Sequence, residues 1–420
     1  MIILIVGGGA REHAIARSLH LDPAVTELHA APGNPGIGRI ATLHTTDPDD
    51  GVSVASLAAQ VRADLVIVGP EAPLVKGVAD AVRKAGIPCF GPGAAAAMLE
   101  GSKAFAKEVM NAANVPTAGA RVCTDRAELA AALDEFGAPH VVKDDGLAAG
   151  KGVVVTNDRA EADAHGAAIL GSGGRVVIEE FLDGPEVSLF VICDGTNVVP
   201  LQPAQDFKRA YDGDEGLNTG GMGAYSPLPW APADLVDEVV RTVAQPTVDE
   251  MARRGTPFQG VLYCGLAMTS RGVRVIEFNA RFGDPETQVV LARLETPLAT
   301  VLMAAALGRL PELPRLAWRA ESAVTVVIAA QDYPAEPRKG DPITGVDAAE
   351  ELEDVHVLHA GTTFDPHGAL VSNGGRVLSV VGCGADLAEA RARAYAGVAA
   401  IELPGSHHRT DIALAAAEGK

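Results

Sequence analysis

The chain is short of nearly everything that would tie it to a membrane, an oxidising compartment or a nucleic acid. Its five cysteines (Cys89, Cys123, Cys193, Cys264, Cys383) are odd in number, scattered, and form no CxxC pair. That excludes a disulfide frame or a cysteine-built zinc site and implies a reducing compartment. No apolar run reaches the length a bilayer demands; the longest are Met1–Val6 and Ala323–Ala330. The start is apolar, lacks a basic region and runs at once into Gly7-Gly8-Gly9, so no secretory leader is expected. Basic residues are outnumbered, 34 Lys and Arg against 54 Asp and Glu, leaving a formal charge of −20. Such a balance argues against nucleic acid or an anionic membrane as partner, and leaves room only for a local basic pocket holding a small phosphorylated ligand. Glycine (46) and proline (27) are too few in 420 residues for a collagenous or low-complexity chain. What remains is a soluble cytoplasmic protein, expected to act as a monomer, with a dimer as the alternative.

The length and a hydrophobic content of 48% allow several domains with sizeable cores. Residues 1–99 alternate short apolar runs with Ala-rich helical stretches: strand Ile2–Val6, helix Arg11–Leu19, strand Leu65–Val68, helix Ala79–Ala85. Strand, loop and helix in repetition predict an open parallel α/β domain. From 100 to 187 a helix beginning at Ser102 leads into a small α+β lid over 117–187. A central α+β domain follows over 188–325, with long strands near 188–193, 262–269 and 273–278 and a helix around 232–253. A C-terminal domain occupies 326–420.

Five segments carry chemistry. In Gly7-Gly8-Gly9-Ala10-Arg11-Glu12-His13 a strand passes into a helix through glycines, and Arg11 adds a charged fork where an anion could approach. The third glycine of a dinucleotide fingerprint is replaced by Glu12, so a nicotinamide oxidoreductase fails on spacing; tight strand–helix packing alone would also explain the loop. Gly146-Leu147-Ala148-Ala149-Gly150-Lys151-Gly152 has the wrong spacing for a P-loop and lies between strands. It suits a hairpin flap over a triphosphate, with Lys143 on the incoming strand, or an ordinary solvated hairpin. In Glu179-Glu180-Phe181-Leu182-Asp183-Gly184-Pro185-Glu186 a strand runs into a turn whose backbone could meet an adenine edge and whose Glu186 could accept from a ribose; an acidic sheet edge is the plainer reading. Ile276-Glu277-Phe278-Asn279-Ala280-Arg281 places Glu277, Asn279 and Arg281 on one strand face by its period of two. A carboxylate and an amide oxygen suit Mg²⁺, and the guanidinium beside them suits a carboxylate or phosphate. Finally, Gln205-Asp206-Phe207-Lys208-Arg209 and Asn218-Thr219-Gly220-Gly221-Met222-Gly223 bound a long polar loop, a length usually functional.

Taken in order, GGGAREH, VGPEAPLVKG (68–77), LEGSKAF (99–105), DGLAAGKGV (145–153), EEFLDGPE (179–186), NTGGMGAYSP (218–227), IEFNARFGDPETQ (276–288) and VSNGGRVLSVVG (371–382) closely resemble the phosphoribosylamine–glycine ligases, a family of ATP-grasp enzymes. The resemblance implies an ATP-grasp fold carrying an N-terminal parallel α/β domain and a small C-terminal domain. It implies ligation of glycine to 5-phosphoribosylamine with ATP and Mg²⁺ or Mn²⁺, through a glycyl phosphate, in purine synthesis; another ATP-grasp carboxylate–amine ligase is the alternative. By resemblance Lys103, Lys143, Gly146, Gly150, Lys151 and Gly152 meet the phosphates. Glu179, Glu180 and Leu182 border the adenine and Glu186 the ribose, while Glu277 and Asn279 hold the metal. Gly8, Gly9, Arg11, Glu12, Glu71, Asn218, Thr219 and Gly220 hold phosphoribosylamine, and Arg281 holds the glycine carboxylate. Three positions depart from the family pattern: Asp144 beside Lys143, Phe207 in place of a common histidine, and Gly265-Leu266 where many ATP-grasp enzymes carry a further acidic metal ligand.

Overall fold

The computed structural model describes residues 1–147 and 152–420. Its first unit is a wholly parallel five-stranded sheet in the order Thr42–Leu43, Glu27–Pro32, Ile2–Gly7, Leu65–Val68, Cys89–Phe90. Ile3, Ile5, Leu65 and Ile67 pack into one core, and Leu4, Val6, Val66 and Val68 into another. Burial on both faces is why these strands read as unbroken apolar runs. The first strand lies between the second and fourth, so the order reverses around it. Ligands in open α/β sheets bind outside the strand ends at such a switch point. Gly7 to Arg11 and Gly69 to Glu71 are the two loops that meet there.

Three antiparallel sheets follow. The small one runs Ala120–Cys123, Val176–Glu179, His140–Asp144, Val153–Thr156, and helices Arg126–Phe136 and Arg159–Gly171 supply its separate core. The central one runs Val198–Pro200, Glu186–Asp194, Gln259–Thr269, Gly272–Asn279. The last runs Gln205–Asp206, Gly223–Ser226, Ser322–Ala329, Arg376–Gly384, Val355–His359, with helix Leu387–Ala400 on it. A boundary at 325 therefore falls inside a strand: Ser322–Ala329 pairs with Gly223–Ser226 on one side and Arg376–Gly384 on the other. Apolar alternation marks the strand but not its partners. The single helix expected around 232–253 contains a wide turn at Val240–Ala244 between Leu235–Val239 and Gln245–Arg253. Pro246 has no N–H to continue the regular ladder there. No helix among the described residues is long and apolar enough to cross a membrane.

Candidate active site

The small and central sheets face each other across a cleft of ≈ 900 Å³. Its shape depends on one irregularity in the central sheet. Gly265 pairs with Glu277 but Leu266 pairs with Val275, leaving Ile276 as an extra residue. A bulge shifts the alternation by one, bends the strand and re-aims side chains. Val273 and Val275 are buried before it, Phe278 and Ala280 after it. Glu277, Asn279 and Arg281 consequently line the cleft together, as their spacing implied, but Ile276 lines it too instead of facing away. Gly265 leaves the room: a Cβ there would stand 3.3 Å from the Glu277 carbonyl oxygen and 3.4 Å from its Cγ.

The lid side is cationic. Lys107 and Lys143 share the Glu179 carboxylate, with Nζ–Oε2 distances of 3.3 and 2.9 Å, and all three are buried. Lys107 also donates to Thr117 Oγ1 and the Ala118 carbonyl, and Lys143 to the Ile276 carbonyl. Glu179 is thus the group that holds two ammoniums in place, not one left free for a nucleotide. Lys103 donates 3.0 Å to the Gly146 carbonyl. Its helix, Lys103–Ala112, is pinned there by Asp145, which accepts from Ser102 Oγ and Ala104 N–H and pairs with Arg175. Burial lowers the proton affinity of both Lys103 and Lys107, against the raising effect of Glu277 on the first and Glu179 on the second. Gly152 lies on the cleft wall. Gly150 and Lys151 lie outside the described residues.

At the turn after Glu179, the Glu180 N–H is spent on the Gly119 carbonyl and its side chain pairs with Arg271. Among the described residues, the Glu180 carbonyl and both backbone groups of Leu182 carry no hydrogen bond. An acceptor and a donor two residues apart match the edge of an adenine. Glu186 pairs with Lys208.

The opposite end of the cleft joins the N-terminal loop to the C-terminal domain. Arg11 reaches the Phe282 carbonyl through Nη1, and its backbone N–H reaches Asp284. Arg376 donates to Asp284 Oδ1 and to the carbonyls of Gly220 and Asp284, so the C-terminal domain closes this end. Asn218, Thr219, Gly220, Arg11 and Glu71 all border the cleft. Three expected residues do not. Glu12 is 1% exposed and turned into its own loop, accepting from the Gly9 N–H and Arg11 Nε at 2.6 Å each. A Cβ on Gly69 would stand 2.1 Å from its Oε1, so the glutamate fills the gap between the two switch-point loops. Gly8 packs against Gly33, whose carbonyl oxygen would lie 2.3 Å from an added Cβ. Gly9 abuts Glu12 in the same way, at 2.9 Å. These glycines permit close packing and do not form the wall.

Arg281 sits between the two ends. Its Nε pairs with Glu71 at 3.2 Å, Nη2 with Glu100 at 3.0 Å, and Nη1 donates to the Phe282 carbonyl at 3.2 Å. Two of the five N–H donors of a guanidinium remain for a ligand. Burial disfavours its charge, but Glu100 and Glu71 outweigh that and raise its proton affinity. Glu277 behaves as its mirror image: burial is overcome by Lys208, Lys143 and Lys103, which keep it ionised. An ionised carboxylate and an amide oxygen side by side fit a hard divalent cation. Among the described residues no cluster of three or more His, Cys, Asp or Glu forms a complete cage, so phosphate oxygens would fill the other positions.

Several residues of the cleft were given no individual role from the sequence: Lys107, Asp206, Lys208, Tyr263, Glu286 and Arg376. Lys107 was visible as the i+4 neighbour of Lys103 on one helix face. Asp206 and Lys208 alternate around Phe207. That phenylalanine points away from the cleft, 6.2 Å from Tyr225 and under Arg409 at 4.9 Å, so the departure at 207 lies outside the site.

Comparison with known proteins adds a family-level finding. Residues 1–100 match the model of the phosphoribosylglycinamide synthetase N domain, 101–287 that of its ATP-grasp (A) domain, and 323–415 that of its C domain. A phosphoribosylamine–glycine ligase of Streptomyces coelicolor is 68% identical over 419 residues, covering 99% of this chain and 100% of the relative. The crystal structure of phosphoribosylamine–glycine ligase from Thermotoga maritima superposes with a TM-score of 0.85 at 32% identity, over 98% of this chain and 100% of that one. The biotin carboxylase domain of Hydrogenobacter thermophilus 2-oxoglutarate carboxylase, solved with MgADP, shares the fold at a TM-score of 0.70 and 16% identity, over 97% and 91% of the two chains.

Proposed function

This chain belongs to the phosphoribosylglycinamide synthetase family of ATP-grasp enzymes, and on that premise we propose how its cleft performs the reaction. The reaction is the ATP-dependent ligation of glycine to phosphoribosylamine in purine biosynthesis, and it uses ATP with a divalent metal. We read the metal as Mg²⁺, with Mn²⁺ the alternative, and the enzyme as a cytoplasmic monomer.

A carboxylate is a poor acyl donor because oxide does not leave. The glycine carboxylate oxygen attacks the γ-phosphorus and ADP departs, giving glycyl phosphate. The phosphoribosylamine nitrogen then attacks the acyl carbon, phosphate leaves with the C–O electron pair, and the nitrogen loses a proton to give the amide. Phosphoryl transfer of this kind calls for positioning and charge neutralisation more than for a protein nucleophile. Lys103, Lys143 and the backbone of Gly146 and Gly152 take the triphosphate, and Lys107 steadies Lys143 through Glu179. The Glu180 carbonyl and the Leu182 backbone receive the adenine, and Glu186 the ribose. Glu277 and Asn279 hold the divalent cation, which when bound neutralises charge on the transferring phosphoryl group. Arg281 offers its two remaining N–H groups to the glycine carboxylate. Arg11, Glu71, Asn218, Thr219 and Gly220 take phosphoribosylamine at the switch point, with Arg376 added to them.

One observation supports this arrangement above the rest: the paired lysines of the lid face Glu277, Asn279 and Arg281 across a single cleft. ADP release from the purified protein tests it. Steady-state release over many turnovers should require glycine and phosphoribosylamine together. ADP formation without glycine would reject this order of events.

A further inference from the structure

We propose that Arg409 is a positioning residue for phosphoribosylamine: with Thr410 and Asp411 it forms a strap, far from the cleft in sequence, that fixes hairpin 209–218 as the outer wall of that substrate's end of the cleft. The inference rests on the proposed place of phosphoribosylamine at Asn218, Thr219 and Gly220, and adds what holds that place in shape.

The hairpin has little support of its own. Strand Arg209–Tyr211 pairs with Glu215–Asn218 at two positions, Arg209 with Asn218 and Tyr211 with Glu215, and the register is irregular between them. Only Ala210 is buried in it, while its two large apolar side chains, Tyr211 and Leu217, are 54% and 65% exposed. A two-stranded hairpin without an apolar face to bury is marginal in water. Yet Arg209, Asp214 and Asn218 line the cleft. A wall of that kind has to be held from outside.

The C-terminal domain does so. Among the described residues, the hydrogen bonds that leave 209–217 for another segment end on Arg409, Thr410 or Asp411. Arg409 Nη1 donates to Asp214 Oδ1 at 2.7 Å and to the Arg209 carbonyl at 3.3 Å. Asp212 accepts from the Thr410 N–H and Oγ1, and the Gly213 N–H donates to Asp411 Oδ2 at 2.9 Å. Arg409 is buried, and Asp411 clamps it from the other side through Nε and Nη2 at 2.7 and 2.6 Å. A planar fork held by two parallel bonds is fixed in direction as well as in place. Its face lies 4.9 Å over the Phe207 ring, so the departure at 207 gives the strap an apolar seat. The strap is anchored in turn. Tyr395 OH, on helix Leu387–Ala400, donates to the Arg409 carbonyl at 2.7 Å and accepts from the Ile412 N–H, while Arg391 Nε donates to the Ile412 carbonyl at 3.0 Å.

The base of the hairpin stands without the strap. Thr219 donates to the Lys208 carbonyl through both its N–H and Oγ1, and Phe207 exchanges backbone bonds with Met222 and Gly223. The Gly220 N–H donates to Tyr333 OH at 3.0 Å, beside the hold of Arg376 on its carbonyl. What depends on Arg409 is therefore the arm from Arg209 to Asn218. Loosening that arm should misplace Asn218 while Lys208, and with it the nucleotide end, stays where it is. The predicted signature is selective, affecting one substrate of three.

The test is steady-state ADP release by the full-length enzyme, with the KM of each substrate measured in turn. Arg409→Lys keeps the charge but loses the fork, and should raise the phosphoribosylamine KM on the order of tenfold, as for a lost charge-assisted bond. The ATP and glycine KM should stay within about twofold. Because Arg409 is buried, a second variant decides the matter if the first fails to fold. Asp212 is exposed and does not line the cleft. Asp212→Ala should leave the melting temperature within about 2 °C of wild type and still raise the phosphoribosylamine KM about threefold or more, with faster amide exchange over 211–217. Asp212→Asn, which can keep both bonds to Thr410 without the charge, should restore the wild-type KM. An unchanged phosphoribosylamine KM in Asp212→Ala overturns the strap. So does an equal rise of all three KM values in Arg409→Lys, or a loss of melting temperature alone, either of which would make Arg409 a merely structural residue. A KM raised as much by Asp212→Asn as by Asp212→Ala also overturns it, since charge and not tethering would then be the cause. Steady-state ADP release by the wild type that is indifferent to phosphoribosylamine would overturn the ligase reading itself, and would be seen before any variant is made.

Discussion

The two ends of the cleft solve the problem of buried charge in opposite ways. Under the lid, Lys107 and Lys143 are held by one glutamate, and Lys103 by a backbone carbonyl. Two ammoniums against one carboxylate leave positive charge for a triphosphate while keeping the lysines aligned before it arrives. On the floor of the cleft, Glu277, Glu286 and Asp206 line the wall with no ion-pair partner among the described residues. That end is incomplete as a protein and becomes balanced only with its ligands. The lid end is preorganised; the floor end is provisional. A site built so should bind nucleotide through a framework that stands by itself, and should gain most of its floor-end order from the metal and the amino acid.

The largest effect should come from breaking the provisional end. Glu277→Gln removes a charge and Asn279→Ala an oxygen from the metal's protein ligands. Either should lower glycine-dependent ADP release on the order of 10²-fold or more, by analogy with deleting one electrostatic stabiliser of a transition state. Calorimetry with an ATP analogue should show affinity that no longer improves on adding Mg²⁺, while circular dichroism stays native. Wild-type turnover at saturating Mg²⁺ would remove these residues from the metal site.

A smaller effect is expected at the preorganised end. Glu179→Gln leaves two buried ammoniums without their shared partner. Removing one member of a buried pair costs about 3–5 kcal/mol, so the melting temperature should fall by several degrees and the ATP KM should rise about tenfold. Saturating ATP analogue should recover most of the lost melting temperature, because phosphates replace the carboxylate. The glycine KM should not move. A melting temperature unchanged without nucleotide would mean that the lysines are held by Thr117, Ala118 and Ile276 alone.

The same contrast explains how much the sequence discloses. Strands 2–7, 65–68, 176–179 and 272–279 were legible because burial on one or both faces imposes a simple apolar period. Glu277, Asn279 and Arg281 were legible because three unlike polar groups rarely alternate on a strand for structural reasons. The inward turn of Glu12 was not legible: a loop beside a site and a loop forming its wall have the same composition. Nor was the bulge at Ile276, which arises from pairing with Gly265 and Leu266 in another strand, eleven and ten residues away. Glu100, Glu286 and Arg376 were hidden for a related reason. Each acts across a contact between segments far apart in the chain, and Arg376 reaches the cleft only because Arg376–Gly384 pairs with Ser322–Ala329. The departure at Asp144 was visible as an oddity, but its consequence needed the structure.

That residue supplies the smallest and most discriminating test of the lid end. Asp144 adjoins Lys143 on the strand leading to the flap, and its Oδ1 accepts from the Gly146 N–H at 3.2 Å. Its charge also raises the proton affinity of Lys103. The two effects oppose each other in nucleotide binding. The hydrogen bond orders Gly146, whose carbonyl holds Lys103, and a bond of this kind contributes about 1 kcal/mol. The charge repels a triphosphate through partly solvated surroundings, where the penalty is modest and screened by salt. Asp144→Asn keeps the acceptor and removes the charge, so the ATP KM should fall up to about threefold at low ionic strength, and the gain should vanish in high salt. Asp144→Ala loses both, and its ATP KM should lie between one and a few times that of wild type at any salt. The ordering of the three proteins matters more than any single value. If Asp144→Asn instead bound ATP more weakly than wild type, and by as much as Asp144→Ala, the carboxylate would be acting through its charge on Lys103, and the preorganised end would extend one residue further than the lysine pair.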